Sequence, residues 1–408
     1  MERTADPDLF GFDPTRLAHL DTRLARYVDE DLLAGWQVVL TRRGEVVHTS
    51  TYGLRDREAG LPVEADTLWR IYSMTKPITS VAAMALWERG VFELTDEVSR
   101  WIPAFADVRV FDRGSSAKPY TVPATEPVRI WHLLSHTAGL TYGFMQTSVV
   151  DAIYRENGYE WGAPRGTDLA TACDAWAAMP LLFQPGSAWG YGVSTDVLGR
   201  LVELWSGQAL DEHLTEHVLA PLGMHDTAFW VPPERADRLA ALYTPDPGTG
   251  RAQRLDAFGA AALREPTMLS GGGGLVSTAA DYHRFTQLLL GRGAYDGVRL
   301  LGRRTLELMT RNHLPGGADL GATSTGGFAE TTFDGVGFGL GFAVVQDPQP
   351  TKTHATTGEF YWGGAASTAF WVDPAEEITA MLFTQLLPSS THPLRPQLHQ
   401  LVYSALVD

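Results

Sequence analysis

Apolar positions recur along this chain with two different periods, and the change of period organises it. Asp13-Pro14 is suited to open a helix, because Asp can cap and Pro fits the first turn. Behind it Leu17, Leu20, Leu24 and Val28 recur every three or four residues, which predicts an amphipathic helix. GWQVVLTRRGEVVHTSTYG then reads as a β-hairpin, Val38 to Leu40 and Val46 to His48 around a turn at Arg43-Gly44. Toward the other end, Phe338 to Val345, Ala365 to Val372 and Glu377 to Thr384 are short apolar runs separated by Asp, Pro and Gly, and Pro393 to Val407 predicts a closing helix. From about residue 78 to 290 the spacing is mostly helical, broken by polar stretches such as DRGSSAKPYTVPATEP and TPDPGTGRAQR. Strands at both ends around a helical middle predict one sheet built from both ends of the chain. The expected division is an α/β domain from residues 1–85 and 260–408, with a mainly helical domain, 86–259, inserted.

Composition narrows the class. The 408 residues include 12 Trp, 17 Phe and 13 Tyr, too much aromatic surface to leave in water, so the chain is globular. Its net charge of −16 disfavours nucleic acid and anionic membrane as partners. No run approaches the ~18 apolar residues of a membrane span. The first residues lack the apolar core of a secretory signal, so a cytoplasmic location is expected. The single cysteine, Cys173, cannot form an internal disulfide; TACDAWAAM reads as a helix that buries a small thiol.

The chemistry concentrates in TLWRIYSMTKPITSVAAMALWERG. Ser73 and Lys76 stand at i and i+3, one turn apart on one helix face. A serine hydroxyl is a poor nucleophile until a base takes its proton, and a desolvated lysine can be that base or help position it. At a helix start, free backbone N–H groups can also hold a developing oxyanion. A second copy, Ser115 to Lys118, lies in the polar stretch GSSAKPYTVP, which reads as a loop unable to lock the pair. Only three of the 32 basic residues are lysine, namely Lys76, Lys118 and Lys352. A chain that otherwise uses arginine keeps lysine where a guanidinium, which does not deprotonate, would fail as a base.

WRIYSMTKPITS resembles the serine β-lactamase and penicillin-binding-protein superfamily, especially its class C-like branch. Further blocks agree in order: Gly90 to Val98 followed by Trp101, the LLSHTAGL run from Leu133 to Leu140, Pro221 to Thr227, and Gly272 to Tyr282. The resemblance implies a β-lactamase-like fold, an antiparallel sheet flanked by helices with an inserted helical domain. It also implies that Tyr191, in PGSAWGYGVSTDVLGRLVE, is the second catalytic element ahead of a helix, a phenol that can serve as base if Lys76 lowers its pKa. Val193 stands where lactamases usually carry Asn, which removes an amide for an acylamino substrate. In the third element, Trp362-Gly363-Gly364 resembles the family VIII carboxylesterases rather than the Lys-Thr-Gly of lactamases. There Trp362 offers an apolar wall, Gly363 and Gly364 let substrate approach the strand, and the N–H of Ala365 joins that of Ser73 as the oxyanion hole. Lys352-Thr353-His354 lacks the glycine and is set aside.

Other patterns carry less. His213-Leu-Thr-Glu-His217 and the pair His132 and His136 have metal-ligand spacing, but each lies in a block that the resemblance reads as structural, so no metal and no cofactor is expected. Gly271 to Gly274 lacks the Lys-Ser/Thr of a phosphate loop and is read as backbone passing close to the pocket. No Gly-x-Ser-x-Gly elbow occurs, so esterase chemistry has to rest on Ser73. The expected function is a serine carboxylesterase (a hydrolase) acting on small, short-chain esters through an acyl-enzyme. Its alternatives are an acyltransferase of the same fold, a β-lactamase or D-amino-acid peptidase, and a non-catalytic binding module. Oligomeric state is left open.

Overall fold

The computed structural model describes residues 2–326, 330 and 332–408. Its centre is an eight-stranded antiparallel sheet drawn from both ends of the chain. The N-terminal part supplies β1 (Gly35–Arg42), β2 (Glu45–Asp56) and the short β3 (Leu61–Pro62). A separate hairpin, β4 (Arg109–Ser115) and β5 (Lys118–Pro123), lies in the helical middle. The C-terminal part supplies β6 (Val336–Phe338), β7 (Ala343–Val345), β8 (Phe360–Gly363), β9 (Ala369–Asp373) and β10 (Ile378–Phe383). The sheet runs β6-β7-β8-β9-β10-β1-β2-β3, with Val38 opposite Leu382 where the two ends of the chain meet.

Five helices frame this sheet and the groups that gather beside it: α1 (Pro14–Asp29), α2 (Thr75–Glu88), α3 (Ser194–Ser206), α4 (Ala279–Leu290) and α5 (Leu394–Ser404). Asp13 caps α1 as expected, its carboxylate accepting from the N–H groups of Thr15 and Arg16 at 2.8 and 3.3 Å. The sheet is covered on both faces, so β1 is buried at every position and shows no polar-out alternation. Trp36, Val38, Leu40, Trp371, Ala380 and Leu382 pack against α1 and α5, with Leu17, Leu20, Leu24, Leu398 and Val402. The alternate residues Val39, Phe370, Met381 and Phe383 turn to the other core, which includes Ile78 of α2 and Tyr282 and Phe285 of α4.

Two expectations need correction. The GSSAKPYTVP stretch is no loop: Ser115 and Lys118 pair at the tip of the β4–β5 hairpin. Its strands are mostly exposed, so they lack the apolar alternation that marks a half-buried strand. The run Phe338 to Val345 is two strands, because the chain reverses at Gly339 to Phe342, where Gly341 takes φ 103°. Among the described residues no helix is long and apolar enough to cross a membrane.

Candidate active site

Ser73 sits in a single 3-10 turn, Tyr72–Met74, leading directly into α2. Tyr72 ahead of it has φ 43°, a left-handed conformation that a bulky residue adopts only where its surroundings hold it. The surroundings do so: Ile71 N–H donates to Leu275 O at 3.1 Å, Leu275 N–H to Thr75 Oγ1 at 3.1 Å, and Tyr282 OH to Met74 O at 3.0 Å. Pro77 falls in the first turn of α2, where its missing N–H costs nothing.

One turn on, Lys76 is 1% exposed. Its three donors meet three acceptors: Ser73 Oγ at 3.2 Å, Tyr142 OH at 3.0 Å and Gly272 O at 2.7 Å. Burial pushes its pKa down to about 8, against the pull of the Asp196 and Glu330 carboxylates, which favour the ammonium. Asp196 in turn accepts from Ser270 Oγ at 2.5 Å and Gly272 N–H at 3.0 Å, which ties the glycine run to the first turn of α3. A side chain at Gly272 would strike the Asp196 carboxylate, so this backbone reaches Lys76 only as glycine.

Tyr191 lies just before α3, buried, with its ring centroid 4.6 Å from Lys76 Nζ. Trp362 Nε1 donates to its hydroxyl at 3.3 Å. The expectation that Lys76 lowers the phenol pKa is corrected here. Burial dominates and raises it, with Glu330 adding to the rise, while the smaller effects of Ser73, Trp362 and Arg395 lower it. A phenol so held keeps its proton near neutrality, whereas the lysine amine can release its own. Of the pair, Lys76 is therefore the group able to act as a base, and Tyr191 is a hydroxyl able to pass a proton on.

Trp362 and Gly363 end β8, and Ala365 lies in the turn that leads to β9. The room left by the two glycines is filled by protein. A Cβ at Gly363 would strike the Arg395 guanidinium, and one at Gly364 would strike Ile71 O, two residues before Ser73. The turn is thus pressed against the Ser73 turn. Arg395, from the first turn of α5, secures it from behind by donating from Nη2 to Gly364 O and Thr368 O, both at 3.0 Å. Its charge is met by the buried Glu330 carboxylate, which also accepts from Ser389 Oγ at 3.0 Å.

Sequence reasoning brings together Ser73, Lys76, Tyr191 and Trp362, and it misses Tyr142, Asp196, Glu330 and Arg395. Tyr142 stands just past the LLSHTAGL run, so its position beside that block is the available signal. Asp196 lies in the quoted block five residues after Tyr191, but nothing in its spacing marks it, and Glu330 and Arg395 come from distant segments with no local pattern. Of the set-aside histidines, only His136 borders the site. His132 accepts the Arg129 N–H at 3.0 Å on Nδ1, while His136 packs on Tyr191 with ring centroids 5.0 Å apart. The His213 and His217 rings meet at a tilt with centroids 4.6 Å apart, and among the described residues no three metal-ligating side chains gather. Cys173 is buried in the helix Leu169–Ala178, and burial raises its thiol pKa well above the usual range. A cavity of about 360 Å³ lies behind β8 and β9, lined by Tyr361, Trp371, Arg395 and His399. It shares Trp362, Glu330 and Arg395 with the groups around Ser73, but Ser73 itself does not line it.

The sequence model of the Beta-lactamase family matches residues 20–404. Esterase EstB of Burkholderia gladioli is 32% identical over 419 residues, spanning 98% of either chain. The acyltransferase calJ of Penicillium decumbens is 28% identical over 375 residues, 87% of this chain and 85% of its own. The structure of EstCE1, a hydrolase with promiscuous acyltransferase activity, superposes with a TM-score of 0.81 at 28% identity, over 95% of this chain and 99% of that one. With this kinship running nearly end to end, the chain is a serine hydrolase and belongs to the Beta-lactamase family.

Proposed function

We propose that the protein is a carboxylesterase acting on short-chain esters through an acyl-enzyme on Ser73. The observation that carries this reading is the Lys76 amine, 3.2 Å from Ser73 Oγ and poised by burial to lose its proton near pH 8. In its neutral form Lys76 takes the Ser73 proton as Oγ bonds to the ester carbonyl carbon, and the carbonyl electrons move onto oxygen. The N–H groups of Ser73 and Ala365 hold that oxyanion. When it collapses, the C–O bond to the alcohol breaks, and the proton passes from Lys76 through the Tyr191 hydroxyl to the departing oxygen. Water then adds to the acyl carbon while the same pair accepts its proton, and Ser73 leaves with a proton restored. The site lies, in this reading, between a sheet domain of residues 1–85 and 260–408 and a helical domain of 86–259.

Trp362 at the third element, with no lysine beside it, and Val193 ahead of α3 both favour esters over β-lactams. A second reading, acyl transfer to an alcohol, is favoured by the names of EstCE1 and calJ. Incubating an acetate ester with an added alcohol separates the two: acid as the main product supports the esterase, and a new ester supports the transferase. In either case Ser73 should carry the acyl group, seen as a mass increment that Ser73→Ala abolishes. Hydrolysis that survives Ser73→Ala would overturn both.

A further inference from the structure

A row of aromatic rings leaves the site from Lys76. Tyr142, whose hydroxyl takes the Lys76 donor, stacks on Phe144 with centroids 4.9 Å apart and planes 19° from parallel. Phe144 stacks on Trp161 at 4.9 Å and 13°. Phe258 then meets Trp161 edge to face at 5.3 Å. Exposure grows along the row: Tyr142 and Phe144 are half-buried, Trp161 is 56% exposed and Phe258 39%. Tyr142 and Trp161 come from loops of the helical middle and Phe144 from the 3-10 turn Gly143–Met145, whereas Phe258 sits on a one-turn helix, Asp256–Gly259.

Such an arrangement is unusual for rings that serve packing alone. Large exposed aromatics normally stand singly, and a contiguous apolar surface signals a binding site. Here the inner end of the row touches the base beside Ser73, so whatever lies along it is anchored at the reacting centre. The rings offer flat faces and edges, with Tyr142 OH as the polar group at the inner end, and no charged side chain belongs to the row. A flat or extended apolar group gains from that surface by losing water and by ring-on-ring contact, and an anionic group facing the negative ring faces gains nothing.

We infer that Tyr142, Phe144, Trp161 and Phe258 form a subsite that binds an aromatic or extended apolar group of the ester. This rests on the esterase reading and sharpens its substrate class: the scissile ester is small on one side and carries a ring or apolar chain on the other. The ring can belong to the acid or to the alcohol, since both halves leave the same carbonyl carbon.

Three esters test it: ethyl acetate as reference, ethyl 3-phenylpropanoate with the ring on the acid, and 3-phenylpropyl acetate with the ring on the alcohol. The readout is the ratio of kcat/KM for each phenyl ester to that for ethyl acetate. The wild-type protein should favour one phenyl ester, and Trp161→Ala should cut that ratio about tenfold. Phe258→Ala should cut it less, and Trp161→Phe, which keeps a ring, should restore most of it. A fall confined to the acid series places the acyl group on the row, and one confined to the alcohol series places the leaving group there. Ratios unchanged in both series, or rates that fall equally for all three esters, would overturn the subsite. Ser73→Ala run beside them reports on the esterase reading itself, because its failure would appear as undiminished hydrolysis of every ester.

Discussion

The chain carries the spacing Ser-x-x-Lys twice, and the two copies meet opposite surroundings. Ser73 and Lys76 are wound on a turn and a buried helix, where the amine has three partners and almost no water. Ser115 and Lys118 face each other across a hairpin tip, both exposed, with Lys118 over the Tyr120 ring at 5.7 Å. In the first copy desolvation brings the lysine to about 8. In the second, both side chains lie open to water at the hairpin tip. Spacing sets only which side chains can meet, and burial decides whether the meeting changes their acidity.

The largest expected effect breaks the comparison outright. Ser73→Ala and Lys76→Arg should each lower kcat for ester hydrolysis by on the order of 10³-fold or more, the second because a guanidinium cannot serve as base. Ser115→Ala and Lys118→Arg should leave kcat within a factor of two. Steady-state rates of the four variants, with circular dichroism to check folding, decide the matter; loss of activity in the hairpin variants would reverse the assignment.

A smaller effect lies in the pH profile. The proposed mechanism has Lys76 neutral in the active form, so kcat/KM should rise about tenfold per unit below pH 8 and level off above it. Asp196 favours the ammonium, and Asp196→Asn keeps an oxygen for Ser270 and Gly272 while removing that charge. The ascending limb should therefore move to lower pH. A profile that stays in place in the Asn variant would show that Lys76 does not govern it.

The smallest effect is on stability. Because the folded pKa of Lys76 lies below its ordinary 10.5, the buried ammonium opposes folding below pH 8, and that penalty fades as pH climbs toward 10.5. Lys76→Met should accordingly raise stability by about 1–2 kcal/mol at pH 7, after discounting the lost partner of Gly272 O, and by less at pH 10. Lys118→Met should change it by under about 0.5 kcal/mol at either pH. Urea unfolding at the two pH values measures both.

The same division governs how much the residues alone reveal. Ser73 and Lys76 stand in a block whose local spacing is itself the signal, Tyr191 is reached through the family resemblance, and β1 and β10 announce themselves by dense apolar runs. The β4–β5 hairpin does not, because exposed strands need no apolar face. Tyr142, Asp196 and Arg395 act through contacts between segments far apart in the chain, and no periodicity encodes a meeting of that kind. The direction of the Tyr191 shift was hidden for a related reason. A neighbouring ammonium is visible as a lysine in the sequence, whereas the depth of burial that outweighs it exists only after folding.

Arg395 carries a consequence for the order in which the protein is made. Ser73 and Lys76 emerge early from the ribosome, and Trp362 to Ala365 come late, but the guanidinium that grips Gly364 O and Thr368 O arrives only with α5. Until α5 has docked, the turn bearing Ala365 has no brace on that side, and the buried Glu330 carboxylate has no counter-charge. Nascent chains, and products of termination before Leu394, should thus present Ser73 without the brace on the turn of Ala365, and on the proposed reading hydrolase activity during synthesis should report the arrival of α5.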